Sequence, residues 1–229
     1  MQLLVFRALW GMTGPLPQQI EQVAAAGYDG FEIWPSQYTV SRAELMSLAR
    51  AHNLKMIVGA PLVSTAEIAP TLHELAEYEP LCINLHSGRD NMSHDEGSAF
   101  FEEALRVESA LGLPVAHETH RGRILFTPWD TAFYLRRFEN LKITADYSHW
   151  VNVCERLPLD EADALSLANQ RAMHIHGRVG YEEGPQVPDP SAPEYVSHLD
   201  WHEAQWLQIR QHHQQTGQAV LTFTPEYGP

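Results

Sequence analysis

Histidines and carboxylates recur in this chain at one kind of position, at the end of a short apolar run or just beyond it. Glu32 follows Gly-Phe, and His86 closes Leu-Cys-Ile-Asn-Leu. His117-Glu118-Thr-His120 ends Pro-Val-Ala, and Asp146-Tyr-Ser-His149 ends Lys-Ile-Thr-Ala. His174-Ile-His176 ends Ala-Met, and Glu226 follows Phe-Thr-Pro. Oxygen and imidazole ligands without a thiolate suit Mn²⁺, Mg²⁺, Co²⁺ or Zn²⁺, and a set rich in carboxylates favours the harder ions. One divalent ion is therefore the expected cofactor, with Mn²⁺ first and Mg²⁺, Co²⁺ and Zn²⁺ as alternatives. An ion chelated by a carbonyl and its neighbouring hydroxyl would stabilise the enediolate left when the α-proton departs. Two carboxylates on opposite sides of that carbon, here Glu118 and Glu226, would remove and return the proton.

Such groups converge only if the runs that carry them are strands lying side by side. The chain repeats a short apolar run followed by a longer amphipathic one, which is the pattern of βα units in a parallel sheet. The strands predicted are 3–8, 30–33, 55–59, 81–86, 114–117, 142–146, 173–176 and 219–223. Helical patterns lie near 17–26, 41–52, 64–78, 93–111, 128–138, 160–169 and 201–216. Eight strands favour a closed α/β barrel, a (β/α)8 TIM barrel formed by residues 1–229 as one domain. Active sites of such barrels form at the C-terminal ends of the strands, where the polar clusters fall. The sequence ends shortly after the last strand at Tyr227-Gly228-Pro229, so the eighth helix is expected to be missing from this chain. The stretch 177–199, rich in Pro, Gly and charge, is expected to form a long loop over the active face.

Bulk properties narrow the classes of function. The 229 residues carry 29 acidic against 15 basic groups, a formal charge of -14, which repels nucleic-acid backbones and anionic lipid. No nucleic acid and no membrane are expected as partners, since no apolar run approaches the roughly 18 residues of a membrane span. Cys82 and Cys154, the two cysteines, lack C-x-x-C spacing, so neither a disulfide framework nor a thiolate site is indicated. A cytoplasmic location and a small-molecule substrate are the expectations, and pairing into a homodimer is expected by analogy with other barrels.

His-Glu118-Thr, Asp146-x-x-His149, His-x-His176 and the strand-end Glu226 together resemble the metal-site pattern of the xylose-isomerase-like TIM-barrel superfamily. This superfamily holds sugar phosphate isomerases and epimerases and proteins like AP endonuclease family 2. The resemblance runs over the whole chain. It implies that Glu118, Asp146, His176 and Glu226 ligate the metal and that His149 contacts substrate. It also implies a metal-dependent isomerase or epimerase acting on a sugar, sugar phosphate or keto-sugar through enediolate proton transfer. The ketose 3-epimerases of this superfamily carry an Arg six residues after the metal-binding His. Here that position is Glu182, and Arg178 is the replacement.

Around this core, His86, His120, Arg121 and Arg178 are assigned to substrate, with the Arg121-Gly-Arg123 run offering cations for a carboxylate or phosphate. Trp10, Trp34, Tyr147 and Trp150 are candidates for an apolar wall beside a sugar ring. His174 is read as a hydrogen-bonded core histidine. Three rival functions remain. A lyase on keto-glycosides would use the same proton removal. A non-catalytic barrel would bind a sugar or metal inside a larger complex. A phosphodiesterase like the endonuclease-IV branch would need Asp200-Trp-His202 as further zinc ligands. Asp200 followed by Glu203 reads instead as a capping box opening a helix at Trp201.

Overall fold

The computed structural model describes residues 1–226. Eight parallel strands close into a barrel in sequence order, each neighbour hydrogen-bonded to the next and the eighth to the first. The strands are β1 (Gln2–Ala8), β2 (Gly30–Ile33), β3 (Lys55–Leu62), β4 (Cys82–Ser87), β5 (Val115–Glu118), β6 (Ile143–Ala145), β7 (Ala172–Gly177) and β8 (Val220–Pro225). Around them lie α1 (Leu16–Ala25), α2 (Arg42–Ala51), α3 (Thr65–Ala76), α4 (His94–Leu111), α5 (Pro128–Arg137), α6 (Ser148–Cys154), α7 (Ala162–Arg171) and α8 (Val196–Gln215). The helices start where capping chemistry is available. Ser41 accepts from the Glu44 amide, Ser93 and Glu96 form a reciprocal box, and Thr127 accepts from the Asp130 amide.

Among the described residues there are eight α-helices, because the β6–β7 connection contains two of them. The short α6 was not predicted. It begins directly after β6, and its first turn is fixed when the Ser148 amide and hydroxyl both donate to Asp146 Oδ1. No helix follows β8 among the described residues. The capping box expected at Asp200 is a second correction. α8 starts at Val196, after a 3-10 turn at Pro193–Tyr195, so Asp200 lies inside the helix. Pro193, the first residue of that turn, has the fixed φ that suits a helix start, so the chain is already helical when it reaches Asp200.

The barrel interior is layered. Toward the N-terminal ends of the strands it is filled by Leu4, Phe6, Ile57, Cys82 and Ala116, all fully enclosed. Burying each large apolar side chain contributes about 1.5–3 kcal/mol. Nearer the C-terminal ends the interior gives up that gain and becomes polar, with Glu32, Asn84, Thr144, His174, Thr222 and Thr224 all buried. Register sets the height of this polar layer. Glu118 pairs with Thr144, Ala145 with Ile175 and His176 with Thr224. The residue after Ala145 and the residue after the Gly177–Pro225 pair therefore rise to the same rim as Glu118 and His176.

Candidate active site

The floor of the site is a buried carboxylate. Glu32, on β2 and fully enclosed, accepts from His176 Nε2 at 3.0 Å, His174 Nε2 at 3.1 Å, Asn84 Nδ2 at 3.0 Å and Thr224 Oγ1 at 2.8 Å. Burial disfavours its charge, but His176 and His174 outweigh that and hold its carboxyl well below the usual range. Because His176 gives its Nε2 hydrogen to Glu32, its Nδ1 faces the other way, toward the mouth. His174, whose Nδ1 bonds Thr222 Oγ1 at 2.8 Å, is a satisfied core histidine as read from sequence.

Above that floor the four residues singled out by the sequence come together. His176 Nδ1 lies 3.0 Å from Glu226 Oε2, 3.6 Å from Glu118 Oε2 and 4.0 Å from Asp146 Oδ2. His176 Nδ1 and Glu226 Oε2 are both buried and have no close polar partner but each other. Three buried carboxylates crowded around one imidazole repel one another, and a cation held among them would relieve that repulsion. Three carboxylates and one imidazole are a donor set for a hard or borderline divalent ion. Burial and then Arg178 act in opposite directions on Asp146, and with Glu226 and Glu118 nearby its carboxyl is pushed up to about 6. For Glu118, burial is outweighed by His86 and His176, which keep its carboxyl well below the ordinary value.

The rim is cationic and aromatic. Arg178, just after β7, donates to Asp146 Oδ2 at 2.5 Å and to His149 Nε2 at 2.7 Å, and it lies 3.1 Å from Glu226 Oε1. His149 is thereby held with its hydrogen on Nδ1, an atom with no partner. His86 Nε2 is 3.0 Å from Glu118 Oε2, and the rings of His86, His120 and His149 follow one another at 4.2 and 3.8 Å. Burial lowers His120 to about 4, so this imidazole is neutral at neutral pH. Trp10 donates its indole N–H to Glu226 Oε1 at 3.0 Å, and Trp34 meets the His86 ring edge-on at 4.4 Å. A cavity of about 210 Å³ lies among these groups and reaches Arg121.

Every residue assigned to metal or substrate from the sequence lines this cavity except Asp146, which sits buried beneath it. Half of the aromatic wall does not. Tyr147 and Trp150 stack on each other at 4.5 Å in the core, because α6 starts at once and turns both side chains away from the mouth. Glu182, in the position of the epimerase arginine, pairs with His198 at 2.9 Å. His202 has both nitrogens engaged, Nδ1 with the His198 carbonyl at 2.8 Å and Nε2 accepting from the Gly180 amide at 3.4 Å. That leaves it no lone pair for zinc. Sequence reasoning missed Asn84, which donates to both Glu32 and Glu118. Its signal was a lone amide inside an otherwise apolar strand.

No protein-family model matches the chain, and no curated protein matches it. Solved structures do. The probable 3-DHS dehydratase AsbF involved in petrobactin synthesis from Bacillus anthracis superposes with a TM-score of 0.67 at 16% identity, over 99% of this chain and 93% of that one. The E. coli 3-keto-D-glucoside 4-epimerase YcjR gives 0.65 at 16% identity, over 100% and 93%. A xylose isomerase-like TIM barrel protein from Mycobacterium smegmatis, solved in complex with magnesium, gives 0.62 at 12% identity, over 93% and 82%. These likenesses show the fold, a closed (β/α)8 barrel like that of the xylose isomerase-like protein among them. At these identities the likeness is one of fold, and the chemistry must come from the side chains described above.

Proposed function

We propose that this protein is a metal-dependent isomerase or epimerase of a small carbohydrate, moving a proton next to a carbonyl between two carboxylates. The observation that carries this is the convergence of Glu118, Asp146 and Glu226 on the Nδ1 of His176 at the mouth of the barrel. These four residues would hold one divalent ion, with Mn²⁺ the expected one. The ion, when bound, supplies Lewis-acid stabilisation of negative charge developing on the substrate's carbonyl oxygen.

The chain's own residues supply the proton handling. Glu118 on β5 and Glu226 after β8 stand three strands apart around the ring, so they reach a bound carbon from different sides. One takes the α-proton as base, and the other returns a proton to the opposite face or to the neighbouring carbon. The first outcome is epimerisation and the second is aldose–ketose isomerisation. Trp10 fixes the Glu226 carboxylate through its indole N–H, and Asn84 fixes Glu118. His149, with its unpartnered Nδ1–H, is placed to donate to a substrate oxygen. The 210 Å³ cavity is below the roughly 300–1,000 Å³ of pockets for drug-sized ligands, which suits a substrate of monosaccharide size. Arg178, the first residue after β7, forms one wall of the cavity.

Elimination is the second reading, because the structurally similar proteins include, by name, a dehydratase as well as an epimerase. Both begin with the same proton removal. The test is incubation of Mn²⁺-loaded protein with ketoses and keto-glycosides in D₂O. Deuterium at the exchanging carbon with no loss of substrate mass supports epimerisation or isomerisation, and loss of water or an aglycone selects the lyase. Absence of exchange across both panels, in protein shown by elemental analysis to hold one metal per chain, would sink both.

A further inference from the structure

Beside the catalytic cavity opens a second, shallower one of about 530 Å³, and the two share His120 and Arg121. Three arginines line it, Arg89 from the segment after β4 and Arg121 and Arg123 from the segment after β5, against one carboxylate, Asp90. Of the thirteen arginines, Arg42, Arg50, Arg106, Arg137, Arg156 and Arg178 lie within ion-pair distance of a carboxylate, and Arg7, Arg136, Arg171 and Arg210, which do not, line neither cavity. Among the described residues Arg89, Arg121 and Arg123 pair with no carboxylate.

Their polar contacts leave most donors unused. Arg121 makes one long contact to Asn152 Oδ1 at 3.4 Å, and Arg123 one to the Gly88 carbonyl at 3.2 Å. Each guanidinium carries five N–H donors, so several remain free on each. Arg123 is half-buried, which together with the like charge of Arg89 lowers its pKa, while Glu118 and Asp90 act the other way. Mutual repulsion of three cations is a cost that a neutral ligand does not offset. An anion with several oxygens does, through charge-assisted bidentate hydrogen bonds. The same anion would be repelled next to Glu118, Asp146 and Glu226, so the two ends of the cleft select opposite ends of one molecule.

We infer that Arg89, Arg121 and Arg123 form an anion subsite continuous with the catalytic cavity, and that the substrate is a small carbohydrate derivative with a terminal phosphate or carboxylate. The substrate class rests on the enzymatic reading above, whereas the subsite itself does not. Two measurements separate them. Calorimetric titration with inorganic phosphate, and in parallel with acetate, tests the subsite on wild-type protein with and without Mn²⁺. Arg121→Gln and Arg123→Gln each should weaken binding of the preferred anion about 5- to 10-fold, the range of one partly exposed charge-assisted hydrogen bond. Arg50→Gln, which removes an exposed arginine elsewhere, should leave it unchanged. Phosphate binding stronger than acetate points to phosphate esters, and the reverse to sugar acids. Binding of neither ion, or binding indifferent to both variants, overturns the subsite.

The second measurement is deuterium exchange on matched neutral, phosphorylated and carboxylated ketoses. Faster exchange in one anionic series, with KM rising more than kcat falls in Arg121→Gln, supports the substrate class. Exchange confined to neutral ketoses overturns the substrate class and leaves the catalytic reading standing. Arginine-dependent anion binding without any exchange supports the subsite and refutes the catalytic reading.

Discussion

Replacing Glu32 by Gln tests the logic of the centre without touching any of its four convergent side chains. Glu32 accepts from His174, His176, Asn84 and Thr224, all of them buried. A Gln side chain keeps the volume but turns one acceptor oxygen into an NH₂ group. At least one of the four donors then loses its acceptor, a cost of about 1–3 kcal/mol for a buried group. If the displaced donor is His176 Nε2, the ring is free to change tautomer and present a hydrogen, not a lone pair, to the mouth. Loss of such a supporting partner lowers metal affinity about 10–100-fold, or about 1.4–2.7 kcal/mol. The assay is competition for Mn²⁺ against a fluorescent chelator, with urea denaturation of the metal-free protein alongside. Thr224→Val is the control, since it removes one donor and leaves the carboxylate to hold both histidines. Folded Glu32→Gln protein that binds Mn²⁺ within about twofold of wild type would refute the argument that His176 is oriented from below.

Three other outcomes are expected. Arg178→Met leaves Asp146 and Glu226 buried without their guanidinium, which should cost the metal-free protein about 3–5 kcal/mol in urea, with saturating Mn²⁺ restoring part of it; unchanged metal-free stability would contradict this. Gly180→Ala places a Cβ 2.4 Å from the Ser148 carbonyl oxygen, a backbone atom that cannot swing aside, and should cost about 1–3 kcal/mol; a change under about 0.5 kcal/mol would show that the segment is not packed there. Burial lowers the folded pKa of His202 from 6.5 to about 4, so the unfolded chain takes up this proton first as pH falls. Its contribution is therefore fully present above about pH 6.5 and is lost between there and pH 4, by up to about 3 kcal/mol. His202→Gln should flatten the decline of stability over that window in urea melts at a series of pH values, and an unaltered slope would refute the assignment.

The residues that meet at the centre were legible because a parallel barrel makes sequence position into height. Each strand runs the same way, so the last residue of each apolar run arrives at the same rim, and Glu118, Asp146 and His176 could be placed there from spacing and type, while choosing the set of four, Glu226 included, drew on the resemblance to a known metal-site pattern. His174 was legible for the same reason, two residues lower on the same face. The limits of helices were less so. The start of α8 was misplaced because the Asp200–Glu203 pair satisfies the local pattern of a cap, while the segment from Pro193 nucleates the helix earlier.

What the sequence by itself determined is thus the alternation, the strand ends and the chemical types gathered there. Only the tertiary structure decided which way the side chains between those landmarks face. Tyr147 and Trp150 lie within four residues of Asp146, yet they point into the core, because α6 begins before either can reach the mouth. Glu32 and Asn84 read from sequence as isolated polar residues on separate strands, and closure of the barrel makes them one hydrogen-bonded floor. Arg89 is far from Arg121 and Arg123 along the chain, and the β4 and β5 ends bring the three to one cavity. The physical reason is common to all three. Period and composition are local, one-dimensional properties, whereas contact across a closed ring depends on register and curvature set by all eight strands together.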